Sequence, residues 1–223
     1  MNRLQNTGLT TLALASLTLA TAGSVVATEN APDAPQAAAT TAPAAADTFR
    51  VDPAHAHVGF AVRHLAIATV RGVFQEVRGT LVLDRENPTR SSVQVRIATT
   101  SLNTRNERRD ADLKDNFLKV SEFPEIVFES KRVVQSPDGW HAIGPLAING
   151  VTREVDIAFT PVGPVAAPGG LERIGIEGSL LIDRRDFGIT LSRIAETGAI
   201  VVGNDVRIEL DVEFGRRTAP ALP

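Results

Sequence analysis

From Val58 to Phe214, apolar and polar residues alternate in about eight short runs. The last run is the cleanest, with Val206, Ile208, Leu210, Val212 and Phe214 set between Arg207, Glu209, Asp211 and Glu213. Successive side chains of a strand point to opposite faces, so each run has one dry and one wet face. Many such strands joined by short turns favour a sheet closed on itself. The pattern predicts an all-β fold, an eight-stranded antiparallel barrel with a short helix inserted in mid-chain. A barrel of that size encloses at most one small ligand.

Earlier runs follow the same rule. Val58, Phe60 and Val62 share a face, as do Val77, Leu81 and Leu83, and then Val93, Val95 and Ile97. Asn149-Gly150 separates the run Trp140–Ile148 from Val151–Phe159 and predicts a hairpin, because a type I′ turn needs positive φ at both positions. The one interruption spans Ser101 to about Val120. There Thr104-Arg105-Asn106-Glu107 fits a capping box, and Leu113 and Phe117 are four apart on one helical face. Pro124 restarts extended chain.

The chain starts with Arg3, an apolar Leu/Ala-rich stretch from Leu9 to Gly23, and the small residues Val25-Val26-Ala27. This reads as a signal peptide over 1–27, cleaved near Ala27, and therefore as export to the periplasm. The stretch is short for a membrane span, so no stable membrane insertion is expected; an uncleaved anchor is the alternative. Residues 28–47 are mostly Ala, Pro and Thr and read as a disordered linker, 48–217 as one domain, and 218–223 as a flexible tail. With no Cys in the chain, that domain is stabilised without disulfides, and acylation at a cleavage-site Cys is excluded. The formal charge is −3 and aromatic residues make up only 4%, which argues against a nucleic-acid partner.

Catalytic signals are sparse. His55 and His57 are two apart and would point the same way in a strand, a weak metal-site signal beside the plainer reading of two strand-start histidines. Acid/base chemistry by His64 with Asp110 or Asp112 is conceivable, but charges beside Arg108 and Arg109 are more often paired at a surface. No catalytic residue, metal or cofactor is assigned.

Four motifs in order resemble the YceI-like family. They are Asp52-Pro-Ala-His55 with Phe60 and His64; Arg109-Asp110-x-x-Leu113, Phe117-Leu118 and Phe123-Pro124-x-x-x-Phe128-x-Ser130; Leu146-x-Ile148-Asn149-Gly150-Val151-Thr152; and Arg185-x-Phe187-Gly188 with Gly203-x-x-Val206. His57 and Asp112 depart from that pattern. The resemblance implies a lipocalin-like barrel whose apolar cavity holds a long-chain amphiphile, such as an isoprenoid lipid or isoprenoid quinone. It also makes a homodimer a state to test for. The runner-up function is a lipid-modifying enzyme using His64 and nearby carboxylates. A third is an exported structural module whose barrel is filled by its own side chains.

Alternation then predicts the cavity wall: Val58, Phe60, Val62, Leu81, Val95, Ile97, Phe128, Ile157, Phe159, Ile176, Leu180, Ile208 and Leu210. His64 ends an inward-facing strand, and Arg108 and Arg109 lie on the helix expected to cover one barrel end. These three are the candidate head-group residues at the mouth, the arginines offering charge-assisted hydrogen bonds to an anionic group.

Overall fold

A computed structural model describes residues 46–191 and 201–218. The proposed signal peptide and nearly all of the proposed linker lie outside the described residues. Eleven strands form one antiparallel sheet. They are β1 (Asp47–His64), β2 (Ala68–Phe74), β3 (Val77–Leu83), β4 (Ser92–Ala98), β5 (Leu102–Asn103), β6 (Glu125–Glu129), β7 (Arg132–Ser136), β8 (Gly139–Ile148), β9 (Val151–Ala167), β10 (Leu171–Asp183) and β11 (Val202–Arg217). Asp47, assigned to the linker from sequence, is already the first residue of β1.

Eight of these strands close the barrel. β1 makes the closure possible because it is long and has two partners on one edge. Its first residues pair with β3 (Phe49 opposite Leu81), its later ones with β2, and its other edge pairs with β11. The ring then runs β3, β4, β6, β8, β9, β10, β11 and back to β1. β2 and β5 prolong the wall at one end, and β7 forms a hairpin with β8.

Register follows the apolar pattern. Val58 faces Leu210, Leu180 faces Ile208, Ile174 faces Phe214, Val95 faces Phe128, and Ala142 faces Ile157. A slip of one residue would turn an entire apolar set toward water, so these pairs hold the register. The expected hairpin is present: Asn149 has φ 51° and Gly150 φ 75°.

A tight corner lies at Gly144, where β8 leaves β6 for β7. A methyl group there would stand 2.1 Å from the Glu129 carbonyl oxygen and 2.9 Å from the Lys131 nitrogen. Both are backbone atoms and neither can swing aside. Gly144→Ala is therefore expected to cost about 2–3 kcal/mol, measured by urea unfolding against the unaltered protein.

The inserted helix α1 (Glu107–Asp112) departs from the capping expectation. Asn106, not Thr104, is the cap: its Oδ1 accepts from the Arg109 backbone N at 2.9 Å. The chain turns through Arg105 at φ 63°, which leaves the Thr104 hydroxyl one turn too early to reach the helix start. Thr104 instead binds Asp110, donating from its backbone N at 2.9 Å. Beyond α1 a wider turn follows, with Leu118 N donating to Leu113 O at 2.9 Å. That turn buries Phe117 and Leu118, and Leu118 joins Leu102 and Phe187 in the core at the end of the barrel next to α1. No helix among the described residues is long and apolar enough to cross a membrane.

Candidate ligand cavity

The inward faces of the strands enclose a cavity of about 490 Å³, a volume typical of small-molecule sites. Its wall is almost wholly apolar. All the residues expected from alternation line it except Val62. That one lies a step beyond the tilted Phe60–Phe74 ring pair (centroids 5.9 Å apart), half-buried between Val70 and Val206.

The two ends of the cavity differ. Toward α1, the lining residues Phe74, Ile97, Ile126 and Ile148 are all less than a tenth exposed. At the far end the lining includes Arg85, Pro88, Ser91, Ser92, Gly163 and Pro164, most of them exposed. The mouth is there, between the β3–β4 loop and the β9–β10 hairpin. His64, Arg108 and Arg109 do not line the cavity and sit at the opposite end. Arg109 is spent on its own segment, its Nε donating to Thr104 Oγ1 at 2.7 Å and its Nη2 to Thr104 O at 2.8 Å. The placement of the mouth at α1 is thus corrected: Leu102, Leu118 and Phe187 pack that end.

Sequence reasoning missed two kinds of lining residue. Ile126, Leu146, Val212 and Phe214 continue the same alternation and were within its reach. Arg85, Ser91 and Ser92 sit in or beside a loop, where no periodicity operates, and only the closed barrel brings them to the mouth.

A ring of charges crosses that mouth. Arg85 donates from Nε to Asp47 Oδ2 at 2.5 Å and from Nη2 to both Glu172 carboxylate oxygens at 2.8 and 2.7 Å. Arg216 donates from Nε to Glu172 Oε2 at 2.7 Å and from Nη1 to Asp47 Oδ1 at 2.6 Å. Arg85 holds the Glu172 carboxyl below its ordinary range, with burial opposing. The ring ties together the start of β1, the loop after β3, the start of β10 and the end of β11. The Arg216 guanidinium also lies 5.2 Å from the centre of the buried Phe49 ring.

The weak metal signal resolves differently from the expected pair. β1 is irregular between Val51 and Ala56, and the cluster of possible ligands there includes His55 but not His57. His55 instead joins Asp52 (3.2 Å) and Glu213 (4.0 Å). Arg173 already binds both of those carboxylates, so the cluster holds a cation of its own. Hydrogen bonds from Arg173 and then His55 pull the Asp52 carboxyl down from 3.8 to about 2. A folded-state pKa below the unfolded one adds stability that is present above about pH 4 and lost as pH falls toward about 2. Asp52→Asn is expected to flatten the acid limb of the stability curve in that window, measured by denaturant unfolding at stepped pH.

The fold and the sequence agree on kinship. The sequence pattern of the YceI-like domain matches residues 49–214. This chain belongs to the YceI-like family. It is 36% identical over 137 residues to a UPF0312 protein of Yersinia pestis (strain Pestoides F), covering 61% of this chain and 71% of that one. It is also 36% identical over 138 residues to a UPF0312 protein of Pseudomonas aeruginosa (strain LESB58), covering 61% and 72%. Among solved structures, BcnA of Burkholderia cenocepacia aligns with a TM-score of 0.63 at 19% identity over 73% of this chain and 98% of that one. The Campylobacter jejuni YceI protein gives 0.59 at 25% identity, over 70% and 90%. A domain from Saccharophagus degradans, described as polyisoprenoid-binding, gives 0.55 at 15%, over 77% and 98%, and shows the shared barrel.

Proposed function

We propose that this YceI-like protein binds a long-chain apolar amphiphile, an isoprenoid lipid or isoprenoid quinone, with the chain in the barrel and the head at the mouth. The observation that carries the reading is the cavity: a deep apolar space, packed shut at one end and polar only at the other. Burying about ten methylenes there gains roughly 8 kcal/mol, micromolar affinity before the cost of fixing the ligand. The residues expected from alternation, Val62 aside, would make the chain contacts. The lipid-modifying enzyme has less support. None of His64, Asp110 and Asp112 lines the cavity; Asp110 is bound to Thr104, and Asp112 accepts from Asn116 Nδ2 at 2.8 Å. The leader-like residues 1–27 support a periplasmic location, which fractionation of the native host would test.

Native mass spectrometry of protein purified from its own host tests the binding reading. A retained mass that organic extraction releases as a lipid is the expected result. A chain that carries nothing and takes up no added isoprenoid would refute it. Trp140, the only Trp in the chain, lines the cavity and provides a fluorescence readout for such titrations.

A further inference from the structure

We infer that the head group accepted at the mouth is uncharged, a carbonyl or hydroxyl that accepts hydrogen bonds, and that the charge ring excludes phosphate-headed lipids. This rests on the lipid-binding reading above. Arg85 is the only charged residue among the described cavity-lining residues, and it is the group on which an anionic head would have to rely. Its charge is already answered. Asp47 and Glu172 hold it, and both are shared with Arg216, so two cations and two anions close a ring of zero net charge.

The neighbouring loop adds no surplus of positive charge. Arg90 pairs with Asp84 at 3.4 Å, and Glu86 is exposed beside them. An anion entering this mouth sheds its hydration, meets two carboxylates and gains no net attraction. A neutral acceptor escapes that cost and finds donors in place. The Ser91 hydroxyl oxygen accepts from Asp84 N at 3.0 Å, which leaves its O–H to donate, and Ser92 lines the mouth beside it.

The test compares geranylgeraniol with geranylgeranyl diphosphate on the full chain, read by Trp140 fluorescence. The unaltered protein is expected to bind the alcohol at least about tenfold more tightly. Glu172→Gln and, separately, Asp47→Asn each release part of the hold on Arg85 and give the mouth a net positive charge. Diphosphate binding should then rise about tenfold and weaken again with added salt, while alcohol binding stays within about twofold. The alcohol serves as the check that each variant is folded. If a variant loses the alcohol as well, the ratio in the unaltered protein decides. A diphosphate that binds the unaltered protein as tightly as the alcohol overturns the inference, and so does a ratio unmoved in folded variants. If neither probe binds the unaltered protein, the lipid-binding reading itself falls.

Discussion

Ile208→Asp is expected to weaken binding of a long-chain isoprenoid by more than about 100-fold while leaving a folded barrel. Ile208 faces the cavity from β11, opposite Phe60 on one side and Leu180 on the other, and it is only half-buried. A carboxylate there can keep water in the open cavity, so folding loses little. An alkyl chain must strip that water away with nothing to replace it, which costs several kcal/mol for an ion. Arg207→Asp, next along the strand but on the outer face, is the control and should leave affinity unchanged. Titration of Trp140 fluorescence with geranylgeraniol, with thermal melts of both variants, decides the matter. Equal affinity in the unaltered protein and Ile208→Asp would mean that the chain does not occupy this cavity.

The largest loss of stability is expected at Arg184. Its side chain is only 4% exposed, and its guanidinium joins both flanks of the β10–β11 connection. On one flank its Nη1 donates to the carbonyls of Ile189 and Leu191. On the other, Nε donates to Gly203 O at 3.0 Å, and Nη2 to Asn204 Oδ1 at 3.1 Å and Val202 O at 3.4 Å. Burial pushes its pKa down, but a guanidinium keeps its charge in proteins, and the carbonyl fan is what solvates it. Arg184→Met removes the charge and leaves these acceptors, most of them half-buried, without their donor. The expected cost is about 3–5 kcal/mol, a fall in Tm of roughly 6–20 °C. Arg184→Lys keeps the charge but offers three donors from one point instead of a planar fork, so it should recover only part of the loss. Differential scanning calorimetry of the three proteins tests this, and a Lys variant equal to the Arg form would show that charge, not geometry, holds the connection.

What could be read from the residues alone is what the period of a strand controls. Alternation along β11 named Ile208, Leu210, Val212 and Phe214 as one face, because the side-chain period of two is a property of any strand. The Asn149-Gly150 turn was legible for a similar local reason, since positive φ is cheap at those two residues. Even the miss at Val62 was a matter of length: alternation gives the face but not how far along it the cavity extends.

The mouth, by contrast, is a tertiary property. A helix rich in arginine next to a histidine-ended strand looked like a place for an anion, yet Leu102, Leu118 and Phe187 turn that end into a plug. Arg85, Glu172, Asp47 and Arg216 come from four separate parts of the chain, with no spacing that links them. They meet only because β1 pairs with both β3 and β11 and so closes the sheet. Local preference sets which way a side chain points. Which end of the barrel stays open, and which charges cancel around it, depends on strands brought together across the whole chain by closure.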